Sequence, residues 1–229
     1  MAQAEDKMPD TASDAEPRPR KERAENAARR REQLVDAALR SIVRNGLPGT
    51  TLATVAREAG LSQGAAVFYF QSKEGLLAAA LQRHYERYEA NWRGALAEAG
   101  DDPALRLAAL VRADFQPQVC AREAQIVWHA FWGEASARPL FNEIADRFDS
   151  ARSDAMTAAT EALLADLGRD TGQARALAAG IEGLTDGLWL QMYLASGVQE
   201  AGEARAITGH FLAALFPERT ATFLAMAEG

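Results

Sequence analysis

Trp128 and Trp132 stand four residues apart, as do Trp189 and Tyr193, so within helices each pair projects from a single face. The face of an aromatic ring attracts a cation, and Asp186, three residues before Trp189, would bring a carboxylate to the same place. Such a set suits a quaternary ammonium or another organic cation, and Phe115 joins it as a further candidate for lining the cavity. The alternative is that these rings are ordinary members of a helical core. His84, His129 and His210 have no second ligand at metal-binding spacing, so no metal site is expected. No nucleophile elbow, phosphate loop or di-iron carboxylate and histidine motif occurs, so no catalytic residue, cofactor or enzymatic activity is expected.

A different chemistry is written in residues 51 to 77, TLATVAREAGLSQGAAVFYFQSKEGLL. Thr51 is the right type to cap a helix whose apolar positions Leu52, Val55 and Ala59 share one face, which predicts a helix from about 51 to 59. Gly60 then ends it by taking the left-handed conformation, and Leu61 completes the turn with its side chain between the helices. Ser62 offers its hydroxyl as the cap of a second helix whose first turn, Gln63, Gly64, Ala65 and Ala66, carries almost no bulk. That surface lets a backbone lie close against DNA, and an aromatic cluster with Lys73 follows it. A plain helical hairpin explains the caps but not these features, so the segment reads as a helix-turn-helix. Gln63 can bond adenine through two hydrogen bonds, Ala65 and Ala66 can touch thymine methyls, and no arginine or lysine stands there to read guanine. Few bases would be read directly, with specificity leaning on A·T contacts and DNA shape.

The run AGLSQGAAVFYFQSKEGLL, residues 59 to 77, resembles the DNA-binding signature of TetR-family transcriptional regulators. The resemblance covers roughly residues 26 to 80, counting a first helix that begins near Asn26. It implies an all-α homodimer: an N-terminal three-helix DNA-binding domain, a connecting fourth helix, and a C-terminal helical domain for ligand binding and dimerisation. It also implies phosphate contacts from Thr51, Ser62, Tyr69 and Lys73, with Gln63, Gly64, Ala65, Ala66 and Phe68 on the groove side. Val67 departs from the family, which most often has a tyrosine there to grip the backbone. A looser resemblance, carried by WHAFWGEASARPLFNEIADR (128 to 147) and IEGLTDGLWLQMYLASG (181 to 197), is to the BetI-type repressors of choline and glycine betaine metabolism.

Composition agrees with this organisation. Alanine and leucine dominate, strand-like alternation is absent, and 48% hydrophobic residues in 229 can fill two cores. Glycine and proline positions predict helices at about 73 to 98, 103 to 117, 120 to 136, 139 to 167, 171 to 196 and 202 to 226, the last interrupted by Pro217. The domains expected are a flexible tail over 1 to 25, a DNA-binding domain over 26 to 80, and a ligand and dimer domain over 81 to 229. No segment is apolar and long enough to span a membrane and no signal peptide is evident, so a cytoplasmic protein without a membrane partner is expected. Cys120, the only cysteine, reads as a small buried residue rather than a redox sensor.

Charge is segregated along the chain. Residues 18 to 83 hold 12 Lys or Arg against 6 Asp or Glu, whereas the whole chain carries a net charge of −7. A positive head attracts phosphates while a negative body keeps the rest of the molecule off the DNA. Arg29, Arg30 and Arg31 adjoin the helix-turn-helix and are expected at phosphates; Arg18, Arg20, Lys21 and Arg23 suit either a minor-groove arm or a solvated tail. Gly180, Gly183 and Gly187 share one helical face, where they would admit a close partner helix at the dimer interface or else widen the ligand cavity.

A dimer would present its two recognition helices about 34 to 36 Å apart, to an operator that is an inverted repeat of double-stranded DNA. A small-molecule effector favouring the wrong separation would release the DNA and relieve repression. The alternative is a helical protein-interaction module that keeps the helix-turn-helix as a scaffold.

Overall fold

Leucine and alanine recurring at three- and four-residue spacing give a helical form to every regular element of the computed structural model, which describes residues 20–134, 139–194 and 200–228. The first helix, α1 (Arg20–Gly49), buries Leu34, Val35, Ala38 and Ile42 along one face. It kinks at Gly46, whose φ of 66° only glycine adopts freely, and the short turn beyond it holds Pro48. The helix begins before the expected start near Asn26, so residues 20–25 belong to α1 and not to a tail. Residues 1–19, with Arg18, lie outside the described residues.

The helix-turn-helix forms as its caps dictate. Thr51 caps α2 (Leu52–Glu58) in a reciprocal box: its hydroxyl accepts from the Thr54 amide at 3.1 Å, while Thr54 Oγ1 accepts from the Thr51 amide at 2.8 Å. Gly60, at φ 66°, ends that helix, and Ser62 caps α3 (Gln63–Phe70) by accepting from the Ala65 amide at 3.2 Å. Ser72 caps α4 (Lys73–Glu98) in the same way. An added Cβ at Gly75 would lie 2.6 Å from the Phe70 carbonyl oxygen, so a glycine is required where α3 and α4 meet.

Helix α4 joins the two halves. Its Leu76, Leu77, Ala80 and Leu81 are buried, and α4 packs on α1; further along, Tyr85 and Trp92 are buried and α4 packs on α5 (Pro103–Asp114) and α8 (Pro139–Asp166). The expected helix at 103 to 117 stops at Asp114, because Pro117 opens a separate turn, α6 (Pro117–Cys120). Ala121, with extended ψ, breaks the chain again before α7 (Arg122–Trp132). Helix α9 (Ala174–Leu194) lies against α8, and α10 (Ala201–Leu215) ends at Phe216, where Pro217 interrupts it as expected before α11 (Thr220–Leu224). The break expected at Gly197 lies outside the described residues. Among the described residues, no helix is long and apolar enough to cross a membrane.

Candidate DNA interface and ligand cavity

The exposed face of α3 is Gln63, Gly64, Val67 and Phe68, positions that adjoin on a helical surface. Phe68 stands 77% exposed, Val67 is 44% exposed, and Ala65 is half-buried. Ala66, expected at the groove, is fully buried instead; it faces the packing of α3 on its neighbours and cannot reach a base. Tyr69 is half-buried, with Phe68 edge-on to it at 5.1 Å.

Two of the candidate phosphate ligands, Ser62 and Lys73, have structural duties that leave donors available. The Ser62 hydroxyl accepts from its cap amide, and its own hydrogen remains to be donated. Lys73 Nζ donates to the Pro48 carbonyl at 2.8 Å, using one of its three hydrogens and tying α4 to the end of α1. Arg29, Arg30 and Arg31 are exposed, but consecutive helical positions diverge by about 100°, so the three cannot share one surface. Arg31 lies over the Phe70 ring at 5.3 Å, beside α3, and Arg29 bonds Asn26. The head is locked further by contacts that the sequence did not announce: Gln33 donates to the Ala59 carbonyl at 2.7 Å, and Arg40 and Arg44 converge on Glu58.

In the body, α4, α5, α7, α8 and α9 enclose a cavity of about 480 Å³. Trp128, Trp132, Trp189 and Asp186, all expected there, do line it. The three indole centroids are 6.2, 6.1 and 6.3 Å apart pairwise, and Tyr88 meets Trp128 and Trp189 edge-on at 5.7 Å each. Two expected members do not belong. Phe115 is fully buried in the core, and its neighbour Asp114 lines the cavity in its place. Tyr193 lies beyond the cavity's end, its ring centroid 4.1 Å from that of His129, tilted by 30°, with the Arg122 guanidinium over its ring.

The cavity has an excess of negative charge, its lining carboxylates outnumbering guanidiniums five to two. At its floor Asp114 and Arg152 form a buried pair, with one Arg152 nitrogen 3.1 Å from both carboxylate oxygens. Tyr88 donates to Asp114 at 2.7 Å, and the Trp189 indole N–H donates to the Asp114 backbone carbonyl at 3.0 Å. Arg152 is thereby neutralised, and among the described residues no other buried cation lines the cavity beside Asp149, Glu182 and Asp186. Burial raises the pKa of Asp149 to about 6 although Tyr85 donates to it at 3.2 Å. Withdrawal from water and then the fields of Asp114, Glu182 and Asp149 raise Asp186 to about 6 as well. Burial also raises Glu182, despite the Ser153 hydroxyl on its carboxylate. Cys120, half-buried, donates to the Asp114 carbonyl at 3.4 Å, and burial pushes its thiol up to about 12, far from the reactive thiolate of a redox sensor.

Residues 34–80 match the model of bacterial regulatory proteins of the tetR family, and residues 103–217 match that of the BetI-type transcriptional repressor C-terminal domain. The HTH-type transcriptional regulator BetI of Burkholderia cenocepacia (strain HI2424) is 39% identical over 170 residues, which span 73% of this chain and 84% of that protein. The chain belongs to the TetR family. As a TetR-family member with a BetI-type C-terminal domain, it is a DNA-binding transcriptional regulator. BetI of Burkholderia pseudomallei (strain 668) is 35% identical over 192 residues, spanning 83% of this chain and 95% of that one. Among solved structures, a regulator from Pseudomonas aeruginosa PAO1 has a TM-score of 0.76 at 23% identity, covering 86% of this chain and 94% of its own. A regulator from Saccharomonospora viridis, solved in complex with choline, has a TM-score of 0.72 at 23% identity, covering 81% and 96%. Both share the TetR-family fold.

A last surface of this TetR-family chain is unfilled. An added Cβ at Gly180, Gly183 or Gly187 would meet nothing within 4 Å, so among the described residues no helix of the protomer packs there, and none of the three lines the cavity. Leu190 and Leu194 continue the same stripe of α9 at spacings of three and four, both exposed, and α10 exposes Ile207 and Phe211.

Proposed function

We propose that this protein is a repressor that binds an inverted-repeat operator as a homodimer and is released by a small organic cation such as choline. The observation that carries the effector reading is the cavity itself. Three indoles and two tyrosines face a site whose carboxylates exceed its guanidiniums, the pairing of π-faces and negative charge that an onium ion needs. The choline bound by the Saccharomonospora viridis regulator of the same fold supports it. The dimer reading rests on the stripe from Gly180 to Leu194 with Ile207 and Phe211, an exposed apolar face on the last two long helices. Gln63, Gly64 and Phe68 of α3 lie against the groove, with Ser62, Thr51, Tyr69, Lys73 and Arg31 around them on phosphates.

Titrating choline into the protein while following tryptophan fluorescence, and then into a complex with an inverted repeat from the protein's own promoter, tests the reading. Saturable quenching with loss of DNA binding is expected. Trp189→Ala should abolish both responses while the variant still binds the operator. Quenching without any change in operator affinity would refute the repressor mechanism.

A further inference from the structure

A second and larger cavity, of about 800 Å³, lies along the seam between head and body. Leu39 and Val43 of α1 form one wall, and Ala124 and Val127 of α7 form the opposite one. Tyr88 and Trp128 line both this cavity and the aromatic one, so these two rings are the partition between them. The two spaces differ in chemistry. At the seam most of the charges are paired with one another: Arg87 pairs with Asp36 at 2.6 Å, Arg40 and Arg44 share Glu58, and Glu123 stands exposed at the cavity's edge. A charged ligand pressed between the apolar walls of Leu39, Val43, Ala124 and Val127 would lose hydration that those side chains cannot replace. The uncharged polar side chains of the lining include Gln118 and His84, and the His84 ring packs on Trp128 at 4.2 Å. Burial and then Arg87 hold its pKa down to about 4, so the imidazole is neutral. Its Nε2 is buried without a hydrogen-bond partner, so the ring holds an unused polar atom beside the cavity.

From this geometry we infer that the seam is a second ligand site, separate from the cation cavity, for an uncharged and largely apolar or aromatic molecule bearing one hydrogen-bonding group, such as a phenol-like hydroxyl. The volume is in the range that holds a drug-sized ligand. An occupant touches α1 of the head and α7 of the body at once, so it acts at the joint whose angle sets the spacing of the recognition helices. The inference does not depend on what the aromatic cavity binds.

Nile red, a neutral dye that brightens in apolar surroundings, serves as the probe, with 1-naphthol as competitor, on the full chain. Ala124→Phe and Val43→Trp fill the seam from opposite walls, and Trp189→Ala removes a ring that lines the aromatic cavity and not the seam. The expected result is one saturable site per chain, displaced by 1-naphthol and not by tetramethylammonium. Affinity should fall at least tenfold in each filled variant and persist in Trp189→Ala. Because circular dichroism checks each variant's fold and the two fills are independent, one that misfolds leaves the other to decide. Absence of saturable binding to wild type, persistence in a folded filled variant, or loss in Trp189→Ala would each overturn the inference.

Discussion

Choline affinity should depend steeply on pH, because the carboxylates that would hold the cation are themselves poised to take up protons. Asp149 and Asp186 both titrate at about 6 in the ligand-free fold, against an ordinary value of 3.8. At pH 8 both are ionised; at pH 5 each is ionised in about one molecule in ten. If the cation requires one of them charged, affinity falls about tenfold over that interval, or about 1.4 kcal/mol, and up to about a hundredfold if it requires both. Solvent screening at Asp149 and Asp186, both of them exposed, and coupling between the two titrations pull the result towards the lower figure. Isothermal titration calorimetry at pH 5, 6, 7 and 8 measures this directly. Proton release on binding near pH 6 should appear as a dependence of the heat on the buffer's ionisation enthalpy. Asp186→Asn keeps the shape but removes one charge: it should weaken choline at pH 8, flatten the pH dependence and nearly match wild type at pH 5. Equal wild-type affinity at pH 5 and 8, or an Asp186→Asn variant that binds as wild type at pH 8, would refute the electrostatic account.

The same shift has a consequence without ligand. Between about pH 4 and 6 the folded protein holds a proton on Asp149 that the unfolded chain has lost, so this group's contribution to stability falls as pH rises through that window. Asp149→Asn should therefore raise Tm relative to wild type at pH 7.5, and the difference should vanish by pH 4. Asp114→Ala leaves the Arg152 guanidinium buried and uncompensated, which should cost about 3 to 5 kcal/mol by urea unfolding. Gly183→Leu meets open space within the protomer, so it should fold normally yet lose the dimer; a fully dimeric variant by light scattering counts against the interface. Gln63→Ala should relax discrimination at one operator position, and unchanged discrimination at every position would remove Gln63 from the groove.

The head was legible because its signals are local. Thr51, Gly60 and Ser62 act on backbone groups within three residues of themselves, so residue type and spacing suffice to place α2 and α3. Ala66 was misplaced because the apolar run QGAAVFYF has no contrast around the helix, and alanine fits the core and the groove equally well. The cavity shows the opposite limit. Four-residue spacing found Trp128, Trp132 and Trp189 and would have reached Glu182, four before Asp186 on the same face of α9, but Tyr85, Tyr88 and Asp149 reach the site from α4 and α8 only through packing. Phe115 missed by one position: the helix that ends at Asp114 turns that carboxylate to the cavity and the next ring into the core. Tyr193 shares a helical face with Trp189, but one turn later α9 has passed the cavity and meets His129 and Arg122.

The route by which a cation would release DNA follows from how α4 is fastened. At its N-terminal end Lys73 holds the Pro48 carbonyl, and further along Arg83 pairs with Glu32 and Arg87 with Asp36, all across to α1. Exposed pairs of this kind are weak singly. The stronger bond is the buried packing of Leu76, Leu77, Ala80 and Leu81 beside Leu34, Val35 and Ile42, which makes the head and the first turns of α4 one body. Tyr85 and Tyr88 lie on that same helix and line the aromatic cavity. From Tyr88 back to Lys73 is about 22 Å of helix, so a tilt of about 5° at the cavity displaces the head by about 2 Å. In the proposed dimer, two heads moving in opposite senses would change the separation of the recognition helices by about twice that, enough to misalign them with successive grooves. A ligand that favours the tilted state weakens DNA binding by a fixed factor, and operator DNA must weaken the ligand by the same factor. Choline affinity measured with and without saturating operator should give the same ratio as operator affinity measured with and without saturating choline; unequal ratios would mean that the two sites are not joined through one conformational equilibrium.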